Sequence, residues 1–325
     1  MKKLISVFIS MVMVVCVFSA CGKGESGKDS GKLSIVTTIF PEYDWVREIT
    51  KGNDNVEITM LLDKGVDLHS FEPTAEDIAK VSTCDVFIYV GGESDEWVED
   101  ALAEAINKDM VVINLLDVMG DSVKEEEVVE GMQDEEEEAA EEESEEVEYD
   151  EHVWLSVKNA EIFSQKIADE LSRVDSKNAE LYSRNAEEYI SKLESLDKEY
   201  EDVVEAASQK TVVFGDRFPF RYLVDDYGLE YYAAFVGCSA ETEASFETIS
   251  FLAGKVDELE LKSILQIETS DGKISETIKD NTKDKNQQIL TMDSMQSVTS
   301  QDVENGANYL EIMQSNLEEL KKALK

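Results

Sequence analysis

The sequence predicts an α/β protein made of two similar parallel-sheet lobes joined by one long rigid helix. Three observations support this fold class. Short β-rich runs alternate with helical patterns from Leu33 onward, and the same alternation begins again after residue 210. Between these two regions, a helical pattern without glycine or proline extends from about Lys177 to Gln209. The chain has 325 residues and is 42% apolar, which is enough for a core in each lobe.

The first segment, residues 1–20, has the pattern of an export signal. Two lysines precede an apolar stretch at positions 4–18, which is shorter than the roughly 20 residues that a membrane-spanning helix needs. Small residues come directly before Cys21 and resemble a bacterial lipoprotein cleavage box. We therefore expect a lipid on Cys21 and a flexible tether over residues 21–32. An ordinary signal peptide that is cut elsewhere is the alternative.

The N-terminal lobe is predicted over residues 33–155. Its β-rich runs occupy positions 32–40, 56–62, 85–91 and 110–116, and its helical patterns occupy positions 42–50, 74–82 and 95–106. Such alternation indicates a parallel sheet with helices on both faces. The segment 122–151 interrupts the pattern with 17 acidic residues between Glu125 and Glu151. It has too few large apolar residues to fold, so it is predicted to be a disordered loop.

The whole chain is strongly acidic, with 73 aspartates and glutamates against 30 lysines and arginines and a formal net charge of -43. A surface of this charge repels phosphate backbones, which argues against nucleic acid as a partner and favours cations as ligands. The acidic loop would raise the local concentration of every divalent cation without selecting one. The alternative role for the loop is that of a solubilising spacer.

Residues 156–209 are predicted to be a helical linker that contains the long helix. Nine apolar positions in steps of three and four keep one apolar stripe on one face of that helix. At 1.5 Å per residue, its thirty-odd residues would extend roughly 45 to 50 Å, which is enough to brace two lobes. A coiled-coil dimer helix is the alternative, although a monomer is expected.

The C-terminal lobe is predicted over residues 210–325. Its β-rich runs occupy positions 210–215, 229–236, 262–268 and 287–292, and its helical patterns occupy positions 218–228, 244–256 and 273–281. Outside the signal and the lipidation position, the cysteines are Cys84 and Cys238. They lack the spacing of a paired metal motif and are predicted to be buried free thiols.

The chain has only two histidines, His69 and His152. Each precedes a predicted helix: His69 follows the second β-rich run, and His152 follows the acidic loop. Open parallel sheets bind ligands at such strand-to-helix connections. A single loop histidine is more often a surface residue than a ligand. Two of them at such connections, in an acidic exported protein, favour a metal site.

Five stretches resemble successive signatures of the zinc and manganese solute-binding proteins of bacterial ABC importers: residues 38–49, 67–102, 150–160, 178–200 and 225–235. The most specific stretches are Ser-Phe-Glu-Pro-Thr after His69 and His-Val-Trp-Leu-Ser at His152. The resemblance covers essentially the whole mature chain. It implies two α/β lobes with one transition metal between them, and a receptor outside the cytoplasmic membrane that delivers the metal to an ABC permease.

The resemblance also implies four metal ligands, two from each lobe. His69 and His152 match the first two residue by residue. The third should follow the strand at 210–215, where this sequence has no histidine. Arg217 stands in register there and cannot bind a metal, whereas a local shift places Asp216 at the ligand position.

The fourth implied ligand is a carboxylate at the end of the last strand of the second lobe, and Asp293 matches it. Glu241 and Glu243 are reserve candidates if the register differs. For each of these acids except Asp293, a helix cap or a solvated turn residue is an equally good interpretation. Two imidazoles and two carboxylates suit Zn²⁺ and also accept Mn²⁺, so Zn²⁺ is expected and Mn²⁺ is the alternative.

Two functions from other classes remain at this point. A zinc hydrolase would use the two histidines with Glu151 or Glu72 as the general base, but the chain has neither an HExxH motif nor a nucleophile elbow. A surface adhesin that keeps its metal only for stability is the second.

Overall fold

A computed structural model describes residues 31–133, 148–239 and 243–325. The segment Leu33–Lys325 packs as one compact unit. The predicted signal at residues 1–20, Cys21, nearly all of the tether and Glu241 lie outside the described residues. Within the described part of the chain, no helix combines the length and the apolar character that a membrane crossing requires.

The sheet of the N-terminal lobe has four parallel strands in the spatial order β2-β1-β3-β4. The strands are β1 (Leu33–Thr37), β2 (Val56–Met60), β3 (Val86–Tyr89) and β4 (Val111–Asn114), and the helices are α1 (Phe40–Thr50), α2 (Ala75–Thr83), α3 (Trp97–Ala103) and α4 (Leu115–Met119). Helix α2 begins where the sequence predicts, because the Thr74 hydroxyl accepts from the Asp77 N–H and the Asp77 carboxylate accepts from the Thr74 N–H.

Two antiparallel helices follow, α5 (Val157–Val174) and α6 (Ala179–Ala206). Helix α6 has 28 residues, which at 1.5 Å per residue gives a length of about 42 Å. The Asn185 amide donates to the Ile49 carbonyl in the N-terminal lobe at 2.9 Å, and the Tyr200 hydroxyl donates to the Met313 carbonyl in the C-terminal lobe at 2.7 Å. One helix therefore joins the two lobes, as predicted.

The sheet of the C-terminal lobe repeats the first, with four parallel strands in the order β6-β5-β7-β8. The strands are β5 (Thr211–Phe218), β6 (Glu230–Val236), β7 (Ser263–Ile267) and β8 (Gln288–Met292), and the helices are α7 (Arg221–Tyr227), α8 (Phe246–Glu258), α9 (Lys273–Asn281), α10 (Ser300–Glu304) and α11 (Tyr309–Ala323). The register pairs Phe218 with Val236, so the carboxyl ends of β5 and β6 lie side by side. Both predicted sheets are thus confirmed.

The main hydrophobic core is continuous across the lobes and the joining helix. It includes Trp45 of α1, Tyr200 of α6 and Tyr309 of α11, all of which are fully buried. A smaller cluster, which includes Leu252 and Ile264, lies between α8 and the C-terminal sheet. The shared core means that packing in one lobe affects the position of the other.

The described ends of the acidic segment 122–151 are hydrogen-bonded, in contrast to the disorder predicted for the whole segment. The Glu126 N–H donates to the Glu148 carbonyl and the Asp150 N–H donates to the Lys124 carbonyl, both at 2.9 Å. The Gln133 N–H donates to the Ala234 carbonyl of β6 at 3.0 Å. The prediction used the composition of the segment, which has many charges and few large apolar residues. The few that it has, such as Val129 and Met132, pack against the main core. Residues 134–147 lie outside the described residues.

Candidate metal site

His69 lies on a short 3₁₀ turn, Leu68–Ser70, in the connection between β2 and α2. Leu68 is buried in the core, and the Asp67 carboxylate accepts from the His69 N–H at 3.0 Å. The turn therefore holds the imidazole at the carboxyl end of the N-terminal sheet, where the sequence places it.

His152 is fully buried and precedes a second 3₁₀ turn, Val153–Leu155. The Trp154 indole donates to the Ser294 carbonyl at 2.9 Å, and the Tyr309 hydroxyl donates to the Trp154 carbonyl at 2.7 Å. The apolar residues of the His-Val-Trp-Leu-Ser motif thus anchor this turn against the C-terminal lobe. The anchor leaves His152 little freedom to move.

The two imidazoles face each other, with 3.2 Å between His69 Nε2 and His152 Nε2. Two nitrogens bound to one tetrahedral zinc at 2.0–2.1 Å stand about 3.3 Å apart, so the spacing fits a shared metal. The Nδ1 atoms point the other way. His152 Nδ1 lies 3.1 Å from an Asp150 carboxylate oxygen, while His69 Nδ1 lies 2.8 Å from the Ser94 hydroxyl and 3.5 Å from Glu151 Oε2. Partners of this kind hold the proton on Nδ1 and leave Nε2 free for a metal.

Burial and mutual repulsion control the charge of the pair. Burial, followed by the charge of His152, lowers the pKa of His69. Burial also opposes charge on His152, but the carboxylates of Asp150 and Glu151 outweigh it and raise the pKa of His152. Of the two imidazoles, His69 therefore loses its charge more easily. In its neutral form its Nε2 lone pair faces His152.

Cys238 joins the histidines and is a residue that the sequence interpretation missed. Its Sγ and one ring nitrogen from each histidine lie within 4.8 Å of one another. Among the described residues, this is the one group of three or more histidine, cysteine or acidic side chains with metal-binding spacing. The Cys238 N–H donates to Glu126 Oε1 at 3.1 Å, and burial, followed by the charge of Glu126, raises the pKa of the thiol. Its position after β6 was the available signal, because strand ends are where this fold binds ligands.

Arg217, which stands in register with the expected third ligand, instead connects the lobes. Its guanidinium lies 2.9 Å from the Asp67 carboxylate and donates to the Ser239 carbonyl at 3.3 Å. The neighbouring Asp216 accepts from the Arg217 N–H at 2.9 Å, and burial raises the pKa of its carboxyl. The structure does not bring Asp216 into the group formed by the two histidines and Cys238.

Asp293 also lies outside that group of ligand atoms. Its carboxylate accepts from the Met295 N–H at 2.7 Å, and burial, followed by the charge of Glu268, raises its pKa to about 6. Glu243, one of the two reserve candidates, is exposed. The roles of Asp216 and Asp293 as ligands therefore remain predictions from the resemblance.

A cavity of about 590 Å³ opens onto His69 and Cys238. Its lining includes five glutamates: Glu93, Glu96, Glu126, Glu148 and Glu151. Glu126 and Glu148 belong to the two ends of the acidic segment, so the base of that segment forms part of the cavity wall. So many carboxylates attract cations into the cavity and towards His69 and Cys238.

Comparison with known proteins gives a consistent match along the chain. The model of a family described as ZnuA, zinc-uptake complex component A, periplasmic, matches residues 35–323. The zinc-binding lipoprotein AdcA of Streptococcus pneumoniae is 30% identical over 321 residues, covering 99% of this chain and 61% of its own length. The high-affinity zinc uptake system protein ZnuA of Bacillus subtilis is 29% identical over 313 residues, covering 94% of this chain and 93% of its own length. The chain thus spans about three fifths of the length of the streptococcal relatives.

Solved structures show the same architecture. The Zn(II)-bound ZnuA-like domain of Streptococcus pneumoniae AdcA matches with a TM-score of 0.70 and 28% identity, over 90% of this chain and 99% of that one. The metal-dependent lipoprotein YcdH of Bacillus subtilis matches with a TM-score of 0.72 and 27% identity, over 90% of this chain and 99% of that one. Both chains are covered almost completely, so the likeness includes both lobes and the helix between them.

Proposed function

The chain belongs to the family of the zinc-uptake complex component A, and we propose that it is an extracytoplasmic receptor that captures Zn²⁺ between its lobes and delivers it to an ABC permease. The family is one of solute-binding receptors and not of enzymes, which sets the hydrolase alternative aside. One chain carries both histidines, so we propose that the receptor works as a monomer.

The observation that carries this proposal is the facing pair of imidazoles. Two Nε2 lone pairs at 3.2 Å repel each other unless a proton or a metal ion lies between them. His152 is completely buried, and an anionic or hydroxyl oxygen lies close to each Nδ1. The fold already holds both imidazoles in the orientation that a metal ion needs, so the ion would bind without having to order them.

The expectation of zinc rather than manganese draws support from the relatives. The pneumococcal relative is named a zinc-binding lipoprotein, and the Bacillus subtilis relative is named for high-affinity zinc uptake. Imidazole nitrogen suits Zn²⁺ better than Mn²⁺, and zinc binds more tightly at any given site of this kind. We propose Zn²⁺ as the transported ion, with Mn²⁺ as the alternative that a competition experiment distinguishes.

We further propose that the chain is attached to the membrane through a lipid on Cys21. The cleavage box before Cys21 and the lipoprotein name of the pneumococcal relative support this. The acidic cavity and the acidic segment at its wall would then gather cations near the mouth of the site. Their contribution is to the rate of capture, because carboxylates that bind zinc one at a time add little to the final affinity.

Zinc titration of the full chain and of two variants tests the proposal. Wild-type protein should take up one tightly bound Zn²⁺ per chain and prefer it over Mn²⁺. His69→Ala and His152→Ala should each weaken binding by more than about 100-fold, because the loss of an outer-shell partner alone costs 10- to 100-fold. Ser70→Ala, at an exposed position on the same turn as His69, is the control and should bind like wild type. Near-wild-type affinity in both histidine variants would refute the site.

A further inference from the structure

We propose that the thiolate of Cys238 is the third metal ligand, so that the site holds its ion with two imidazole nitrogens and one sulfur. The inference rests on the proposed function, because it names a ligand of the same site and thereby narrows the class of metal that the site takes. It differs from the set of two imidazoles and two carboxylates that the sequence implies.

The first support is the geometry of the three side chains. A tetrahedral zinc with Zn–N near 2.0–2.1 Å and Zn–S near 2.3 Å places the sulfur about 3.5 Å from each nitrogen. The three ligand atoms already lie within 4.8 Å of one another without an ion between them. A side-chain movement on the order of 1 Å is therefore enough to complete the coordination. His69 and Cys238 both line the acidic cavity, so an ion that enters it meets both.

The second support is that Cys238, at the end of β6, can replace the ligand that is missing at the end of the neighbouring strand β5. The resemblance implies a ligand near the carboxyl end of β5, but Arg217, the next-to-last residue of β5, occupies that position and binds Asp67 at 2.9 Å. Strand β6 pairs with β5 at the sheet edge, and its end at Val236 lies beside Phe218. Cys238 follows β6 by two residues. It therefore offers a metal-binding atom at the neighbouring strand end, on the same edge of the sheet.

The third support is the close approach of this turn to His152. A Cβ atom on Gly237 would lie 3.0 Å from His152 Cε1 and 3.0 Å from the Phe218 carbonyl oxygen. Real Cβ atoms are seldom found so close to another group, so the glycine lets the backbone before Cys238 pack directly against the imidazole. The bond from the Cys238 N–H to Glu126 then ties the turn to the N-terminal lobe as well.

Coordination by Cys238 has a defined chemical balance. The thiol loses its proton to solvent as the sulfur–metal bond forms, and no oxidant or reductant is involved. Glu126 and Glu151 line the cavity together with Cys238, and Asp150 lies 3.1 Å from His152 Nδ1, so their negative charges favour a divalent ion at this place. A thiolate is a soft ligand that selects zinc and disfavours manganese, which binds hard oxygen ligands. The N₂S set therefore predicts stronger discrimination against Mn²⁺ than an N₂O₂ set would.

X-ray absorption of the zinc-loaded wild-type chain tests the ligand directly, without any substitution. We expect one sulfur per zinc at about 2.3 Å together with nitrogen or oxygen near 2.0 Å. In parallel, Co²⁺ serves as a coloured substitute in the full chain, where a bound thiolate gives a charge-transfer band in the near ultraviolet. Cys238→Ser should abolish that band. Cys84→Ser is the matched control, because Cys84 is a buried core thiol whose Sγ donates to the Val81 carbonyl, a bond that a serine hydroxyl also makes.

Affinity measurements complete the test. Cys238→Ser should weaken Zn²⁺ binding by about 100-fold or more and Mn²⁺ binding much less, so the preference for zinc over manganese should fall. A zinc spectrum with only nitrogen and oxygen neighbours, or a cobalt band that persists in Cys238→Ser, would overturn the inference. If the histidine variants lose zinc while Cys238→Ser retains it, the receptor function stands and only this inference fails. If wild-type protein binds no zinc, the proposed function fails first.

Discussion

Replacing Asp150 by asparagine should weaken zinc binding by 10- to 100-fold without removing any proposed ligand. Asp150 is 2% exposed, and its Oδ1 accepts from the backbone N–H of His152 at 2.8 Å and faces His152 Nδ1 at 3.1 Å. One carboxylate therefore fixes both the position of the turn and the tautomer of the ring. Asparagine has nearly the same shape and retains one oxygen acceptor, but it lacks the negative charge.

The expected size of the effect follows from these contacts. A carboxylate behind a metal-bound imidazole raises the basicity of the other nitrogen, and the loss of such a partner costs 10- to 100-fold in metal affinity. At 1.36 kcal/mol per factor of ten, the change corresponds to about 1.4 to 2.7 kcal/mol. Global stability should change less, because the amide oxygen can still accept from the His152 N–H.

Competition with a chelating dye at neutral pH measures this change in the full chain. Asp121→Asn is the matched control, since it makes the same chemical change at an exposed position of the N-terminal lobe. An Asp150→Asn protein that folds normally and binds zinc as tightly as wild type would refute the reasoning. It would mean that His152 does not bind the metal through Nε2, or that Asp150 does not orient it.

Two further predictions concern other acidic residues. Burial, followed by the charge of Asp95, raises the pKa of Glu42 from 4.5 to about 8. Between these two pH values the folded state holds a proton that the unfolded state has lost. The free energy of unfolding should therefore fall as the pH rises from 4.5 to about 8. Thermal unfolding of the metal-free chain from pH 5 to pH 8 should show this decline, and Glu42→Gln should reduce the slope; an unchanged slope would contradict the assignment. Asp216→Asn and Asp293→Asn should change zinc affinity by less than about threefold, because neither carboxylate lies in the group of three ligand atoms. A loss of 100-fold or more in either variant would restore that residue as a ligand.

The strands and helices were predictable because each depends on local patterns. Short β-branched runs bounded by polar residues indicated every strand of both sheets, and Thr74 marked the start of α2. The long helix was predicted from Lys177 to Gln209 and is found over Ala179–Ala206. Six of the nine apolar positions predicted for its stripe are buried: Tyr182, Ala186, Tyr189, Leu193, Leu196 and Tyr200. The other three, Ala179, Val203 and Ala207, are half-buried, and Val204 is buried in place of Val203. Helix α11, which packs its buried Tyr309 in the shared core, was not singled out.

The site was predictable only in part. His69 and His152 stood out because histidine is rare in this chain and both occupy connections into helices. The signal of Cys238 was weaker: it follows a predicted strand, but a single thiol at such a position is usually a buried core residue. The ordered ends of the acidic segment were also missed. Their order comes from contacts with distant residues, such as the ion pair between Glu127 and Arg221, rather than from local composition.

The sequence by itself determined the two parallel sheets, the helix between them and the two histidines, because alternation, helical periodicity and motif identity are properties of neighbouring residues. Only the tertiary structure decided which side chain of the C-terminal lobe meets those histidines. That choice depends on β6 lying beside β5 and on a glycine that lets Cys238 approach His152. Distances between residues 86 positions apart are set by sheet order and packing, and no local pattern in the chain records them.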